Sequence, residues 1–155
     1  MTRLSDIPVR MDGAARQHSN LSIAREVLND IATALVHLAS TGKPAAIDLR
    51  ALPRMEPATY QYLKDALAGG EVTAVVDAQV RVEICETKYP GVWWLTHRNA
   101  HGAISTEIIE IAELPQILRP HVADVRAGLK RLEQWLAAPA SSAGSPATTK
   151  QTAVA

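Results

Sequence analysis

Between residues 72 and 111 the chain passes through four short segments rich in β-branched and aromatic side chains, 72–76, 80–86, 92–98 and 104–111. Tyr89-Pro90-Gly91 and Ala100-His101-Gly102 punctuate the last three. Proline presets one turn dihedral and glycine accepts a positive φ, so each triplet predicts a hairpin and the whole stretch an antiparallel meander. In the second segment Val80, Val82 and Ile84 alternate with Arg81, Glu83 and Cys85. That alternation predicts one face buried against helices and the other partly wet.

The cover comes from flanking helical patterns. Ala24, Val27, Leu28, Ile31, Leu35 and Leu38 recur at three- and four-residue spacing, with Asn20 as the expected N-cap and Gly42 and Pro44 as the stop. The short run 45–49, broken by Asp48, predicts a strand joining the meander at one edge. Glu56-Pro57 opens a second helix, Tyr60, Leu63 and Leu67 give its buried face, and Gly69-Gly70 ends it. After Pro115 and Pro120, the residues Val122, Val125, Leu129, Leu132 and Leu136 form a heptad seam just over two repeats long. Such a seam docks on its own sheet or pairs with a second copy as a homodimer.

The expected fold is therefore α+β: an antiparallel four- to five-stranded sheet, two N-terminal helices and a long C-terminal helix packed on one face. The other sheet face is left as the working surface. Residues 1–19 read as a loosely ordered lead-in, 20–138 as one domain, and 139–155, rich in Ala, Ser, Thr and Pro, as a disordered tail.

Composition narrows the function. Sixteen basic and 16 acidic residues give a net charge of zero, and no basic stripe is present to track a nucleic-acid backbone. Every apolar run is interrupted by charge before it reaches membrane-spanning length, and residues 1–10 lack the apolar stretch of a signal peptide. One cysteine, Cys85, cannot form an internal disulfide. A cytoplasmic protein is expected.

Cys85, His97 and His101 carry the donor types of a metal or small-ligand sensor, yet no Cys-x-x-Cys pair accompanies them. Glu83, Glu86, Glu107 and Glu110 fall in three adjacent strands, where a pair could serve as acid and base. The plainer reading is that they are solvated partners of Arg81, Lys88 and Arg98. Gly69-Gly70 lacks the spacing of a phosphate cradle, and Ser105 and Thr106 lack a triad. No catalytic residue, cofactor or metal is therefore expected. Trp93 and Trp94 are neighbours on one strand, so they point to opposite faces; at most one should belong to the core, leaving the other as an exposed anchor for a partner.

The order Gly69-Gly70-Glu71-Val72, Glu86-Thr87, Gly91-Val92-Trp93-Trp94, Ile109-Glu110-Ile111 and Leu114-Pro115-Gln116-Ile117 resembles the C-terminal conserved region of the HupH/HyaF hydrogenase expression proteins. The resemblance runs from Ala46 to Ile117. It implies an accessory chaperone in nickel-iron hydrogenase maturation, working without catalysis. The implied partners are a hydrogenase subunit precursor, the small iron-sulfur subunit foremost, and other maturation proteins. Joined to the tryptophan argument, it places partner binding at Trp93, Trp94, Glu86, Thr87 and Gly91.

Overall fold

A computed structural model describes residues 12–53, 55–78 and 80–138, with side chains from Ser22 onward. The elements follow in the order α1 (Asp12–Thr41), β1 (Ala45–Asp48), α2 (Pro57–Leu67), β2 (Thr73–Asp77), β3 (Arg81–Glu86), β4 (Val92–Arg98), β5 (Ile104–Ile111) and α3 (Val122–Ala137). They fall into two compact units, the chain dividing between Gln116 and Ile117.

In the first unit all five strands form one antiparallel sheet in the order β1-β5-β4-β3-β2. The α+β class, the edge position of β1 and both hairpins match the sequence reading. Helix α1 begins earlier than the Asn20 cap predicts, at Asp12. Ala14, Ala15, Arg16 and Gln17 are strong helix formers and no proline intervenes, so Asn20 sits inside the helix rather than at its start. The expected lead-in therefore loses residues 12–19 to α1; residues 1–11 and the expected tail at 139–155 lie outside the described residues.

Cross-strand partners share a face, and the register sorts the sheet cleanly. Val92 and Trp94 of β4 lie with Ile109 and Ile111 of β5 and, across β3, with Cys85. This is the face that α1 and α2 cover: Val27, Ile31, Leu49, Leu63 and Leu67 close one core with Val92, Trp94, Ile109 and Ile111. Val82 and Ile84 therefore lie on the face away from these helices, the reverse of the side expected for them, and Val80, expected with them, is exposed. That opposite face is not wet at its centre, for Val82, Ile84, Trp93 and Leu95 are all buried. The continuous apolar run Val92-Trp93-Trp94-Leu95 is what a strand buried on both faces carries.

Two close approaches fix α2 against the β3–β4 hairpin. The Lys88 N–H donates to the Leu67 carbonyl at 3.1 Å, capping the helix end. At Gly70 the chain passes so near β3 that a Cβ there would overlap the Glu86 carbonyl.

In the second unit α3 is capped by His121, whose Nδ1 accepts from the Ala123 N–H at 3.3 Å, and Asp124 in the first turn suits the positive end of the helix dipole. None of its residues is buried.

Candidate functional site

Helix α2 lies over the β4–β5 part of the sheet, and its exposed flank and strand β3 enclose a groove of about 390 Å³. Gln61, Lys64, Asp65 and Ala68 form the helical wall, and Glu83, Cys85, Thr87, Trp94, Thr96 and Arg98 the sheet side. Of its charged groups, Lys64 is paired with Glu107 and Arg98 with Glu83.

Glu107 is the hub beside this groove. Its side chain is 11% exposed. One carboxylate oxygen, Oε1, accepts from the Tyr60 hydroxyl at 2.8 Å, from Trp94 Nε1 at 3.0 Å and from Thr96 Oγ1 at 3.3 Å; the Lys64 ammonium stands 3.6 Å away. Tyr60 and Trp94 meet edge to face with centroids 5.9 Å apart, and Lys64 Nζ lies 5.1 Å from the centre of each ring. The carboxylate and two ring faces thus fix one ammonium. Burial, with the neighbouring Glu107 charge, holds the Tyr60 hydroxyl above its ordinary pKa. Burial works against the Lys64 charge, but the Tyr60 hydroxyl and the Glu107 carboxylate outweigh it and the lysine pKa rises.

A second pair closes the groove's far end. Arg98 grips Glu83 through Nε at 3.0 Å and Nη2 at 3.1 Å, a bidentate fork that holds the Glu83 carboxyl below its usual range. This is the cross-strand partnership the sequence suggested for the glutamates. Glu107 departs from it, since it is half-buried against α2 rather than solvated. The signal was present: Glu107, Ile109 and Ile111 alternate, which puts Glu107 on the core side of β5. Of the four glutamates only Glu83 and Glu86 line the groove. Glu86 lies on the face opposite Glu83, and Glu110 accepts from the Gln116 N–H at 2.8 Å.

Neither tryptophan stands outside. Trp93 is 5% exposed and Trp94 7%. Trp93 Nε1 donates to the Ala112 carbonyl at 3.0 Å, so each indole has both its area and its N–H satisfied. The expected exposed anchor is therefore corrected: a strand covered on both sides buries both neighbours. Of the other residues expected around it, Thr87 is buried and bonds to the Tyr89 N–H at 3.2 Å, while Gly91 turns the hairpin at φ +83. Glu86, Thr87 and Trp94 all line the groove; Trp93 and Gly91 do not.

The sensor trio is not assembled. Cys85 is exposed on the helix-bearing face, His97 pairs with Val82 on the opposite one, and His101 sits in the β4–β5 turn. Among the described residues no group of three or more His, Cys, Asp or Glu side chains can hold a metal ion. Among them, too, no helix is long and apolar enough to cross a membrane.

Comparison with known proteins agrees with this architecture. The profile of the family described as HupH hydrogenase expression protein, C-terminal conserved region, matches residues 21–139. The chain is 34% identical over 68 residues to the hydrogenase expression/formation protein HupQ of Azotobacter chroococcum mcd 1, a match that spans 44% of this chain and 24% of that one. It is 32% identical over 68 residues to the corresponding protein HoxQ of Azotobacter vinelandii, again across 44% and 24%. The chain thus spans about a quarter of the length of these curated relatives. Among solved structures it is similar to the hydrogenase expression protein HupH from Thiobacillus denitrificans ATCC 25259, with 41% identity and a TM-score of 0.69 over 74% of this chain and 94% of that chain.

Proposed function

Since the chain belongs to the HupH hydrogenase expression proteins, matching their C-terminal conserved region over residues 21–139, we propose that it is an accessory chaperone in nickel-iron hydrogenase maturation. It acts in the cytoplasm by holding a hydrogenase subunit precursor, the small iron-sulfur subunit foremost, in company with other maturation proteins, and it performs no chemistry of its own. The family match is the observation that carries this reading.

The groove beside α2 is the proposed client site. It offers the apolar edge of Trp94 and the Cys85 thiol inside a rim of both charges, Lys64 and Arg98 against Asp65, Glu83 and Glu86. An apolar centre within a polar rim is how protein interfaces are built. Arg98 is committed to Glu83 and Lys64 to Glu107, so the charged groups favour recognition over proton transfer. In this reading Glu86 and Thr87, which line the groove, contact the client. Trp94 takes part directly through its edge in the groove, whereas Trp93 and Gly91 serve it indirectly, by packing and turning the hairpin.

Deletion of the gene in a hydrogen-oxidising host is the test. Hydrogenase activity should fall while unprocessed small subunit accumulates, and the full chain expressed in trans should restore both. Normal activity and processing in the deletion strain, under oxic and anoxic growth alike, would end this reading.

A further inference from the structure

The sequence leaves α3 with a stripe that the described structure does not bury. Val125, Leu129, Leu132, Trp135 and Leu136 are each more than half exposed. With Val122, also more than half exposed, they make six large apolar side chains on one short helix, an unusual exposed concentration. Their spacing places Val122, Leu129 and Leu136 at a positions of a heptad and Val125 and Leu132 at d positions.

The flanks of this seam say what covers it. Arg126 and Glu133 fall at e, Gly128 and Trp135 at g. An antiparallel helix pair brings e beside e and g beside g, whereas a parallel pair brings g beside e. In the antiparallel arrangement Leu129 meets the partner's Leu132 and Val125 meets the partner's Leu136. That same register sets Arg126 beside the partner's Glu133, and two-fold symmetry repeats the pair. In a parallel arrangement Arg126 would face the partner's His121 and Glu133 the partner's Gly128, with no opposite charges matched.

Gly128 is the second, independent observation. Glycine is among the poorest residues in a helix interior, and here nothing local calls for it. Gly128 has no positive φ, and a Cβ added there would meet only the Arg131 guanidinium, at 3.8 Å. The antiparallel register supplies the missing reason, because it lays the indole of the partner's Trp135 over the bare backbone at Gly128.

We propose that α3 is a dimerisation helix whose occupant is α3 of a second copy of this chain, paired antiparallel. The seam is just over two heptads long, too short to persist as a free coiled coil. The dimer is therefore reversible and concentration-dependent, and can be tuned by charge at positions 126 and 133.

Sedimentation equilibrium on the full chain over a wide concentration range tests this. The wild-type protein should show a monomer–dimer equilibrium. R126E and E133R should each weaken it by about tenfold, since each reversal acts twice across the symmetric interface. The double variant R126E/E133R should return it to within a few-fold of wild type. G128L should raise helix content by circular dichroism yet weaken the dimer; a purely local role for Gly128 would leave the dimer unchanged or strengthen it. A chain that stays monomeric throughout, or a dimer indifferent to the charge reversals and to G128L, would overturn the proposal.

Discussion

Trp94 and Trp135 are the same residue in two regions governed by different rules. In the strand unit Trp94 is 7% exposed, its ring packed on Tyr60 and its N–H held by Glu107. In α3, Trp135 is 61% exposed. The residue type predicts neither outcome. What decides is whether the element supplies cover for the face on which the side chain emerges: β4 lies at the middle of a five-stranded sheet buried on both sides, whereas α3 presents an apolar stripe that its own unit leaves open. Conspicuous tryptophans in the strand unit hold the scaffold; the exposed one marks a surface.

Substitutions can break or sharpen that contrast. The largest effect is expected for Trp94→Ala, which removes core area and a donor to a half-buried carboxylate together and should cost about 3–5 kcal/mol in urea unfolding. A loss no greater than that of Trp135→Ala would dissolve the distinction. Next comes Glu107→Ala. It leaves the Tyr60 hydroxyl and Trp94 N–H without their acceptor and Lys64 without its counter-charge, at a cost of about 1–3 kcal/mol, and Glu107→Gln should cost less because an acceptor remains.

A smaller effect should appear in alkali. Tyr60 and Lys64 both have pKa values raised in the folded state, so the protonated cluster favours folding below the ordinary tyrosine value of 10.0. That contribution fades as pH climbs through the raised values. Wild-type protein should therefore lose stability between about pH 10 and 12 more steeply than Tyr60→Phe, and the tyrosinate absorbance that appears at the highest pH should be missing from the variant. Equal slopes would remove the cluster from the list of stabilising features. The smallest effect is reserved for Trp135→Ala, expected within about 0.5 kcal/mol at concentrations where the chain is monomeric. The same change should abolish most of the fluorescence that iodide can quench.

Much of the strand unit was legible in advance. Proline and glycine fixed the hairpins, so β4 and β5 fall where the segments 92–98 and 104–111 placed them. The start of α1 was not, because Asn20 is a good cap by residue type while Gly13 and Ser19, on either side of the helix formers 14–17, weaken the pattern ahead of it. Alternation told that Trp93 and Trp94 diverge, but periodicity within one strand carries no information about what lies over each face. The face assignment of Val82 and Ile84 failed for that reason. Glu107 was readable from its step with Ile109 and Ile111, yet two of its partners, Tyr60 and Lys64, come from α2, 47 residues away in the chain for Tyr60, and no local pattern announces a contact of that range.

Cys85 offers the most direct test of the client site, since it is the single cysteine and is exposed in the groove. Purified hydrogenase small-subunit precursor would be titrated into the full chain by calorimetry, once with the thiol free and once with it blocked by a bulky maleimide, folding being checked by circular dichroism. Saturable binding to the free protein that is lost on blocking is the expected result. Absence of binding, or binding untouched by the block, would contradict the placement of client recognition beside α2.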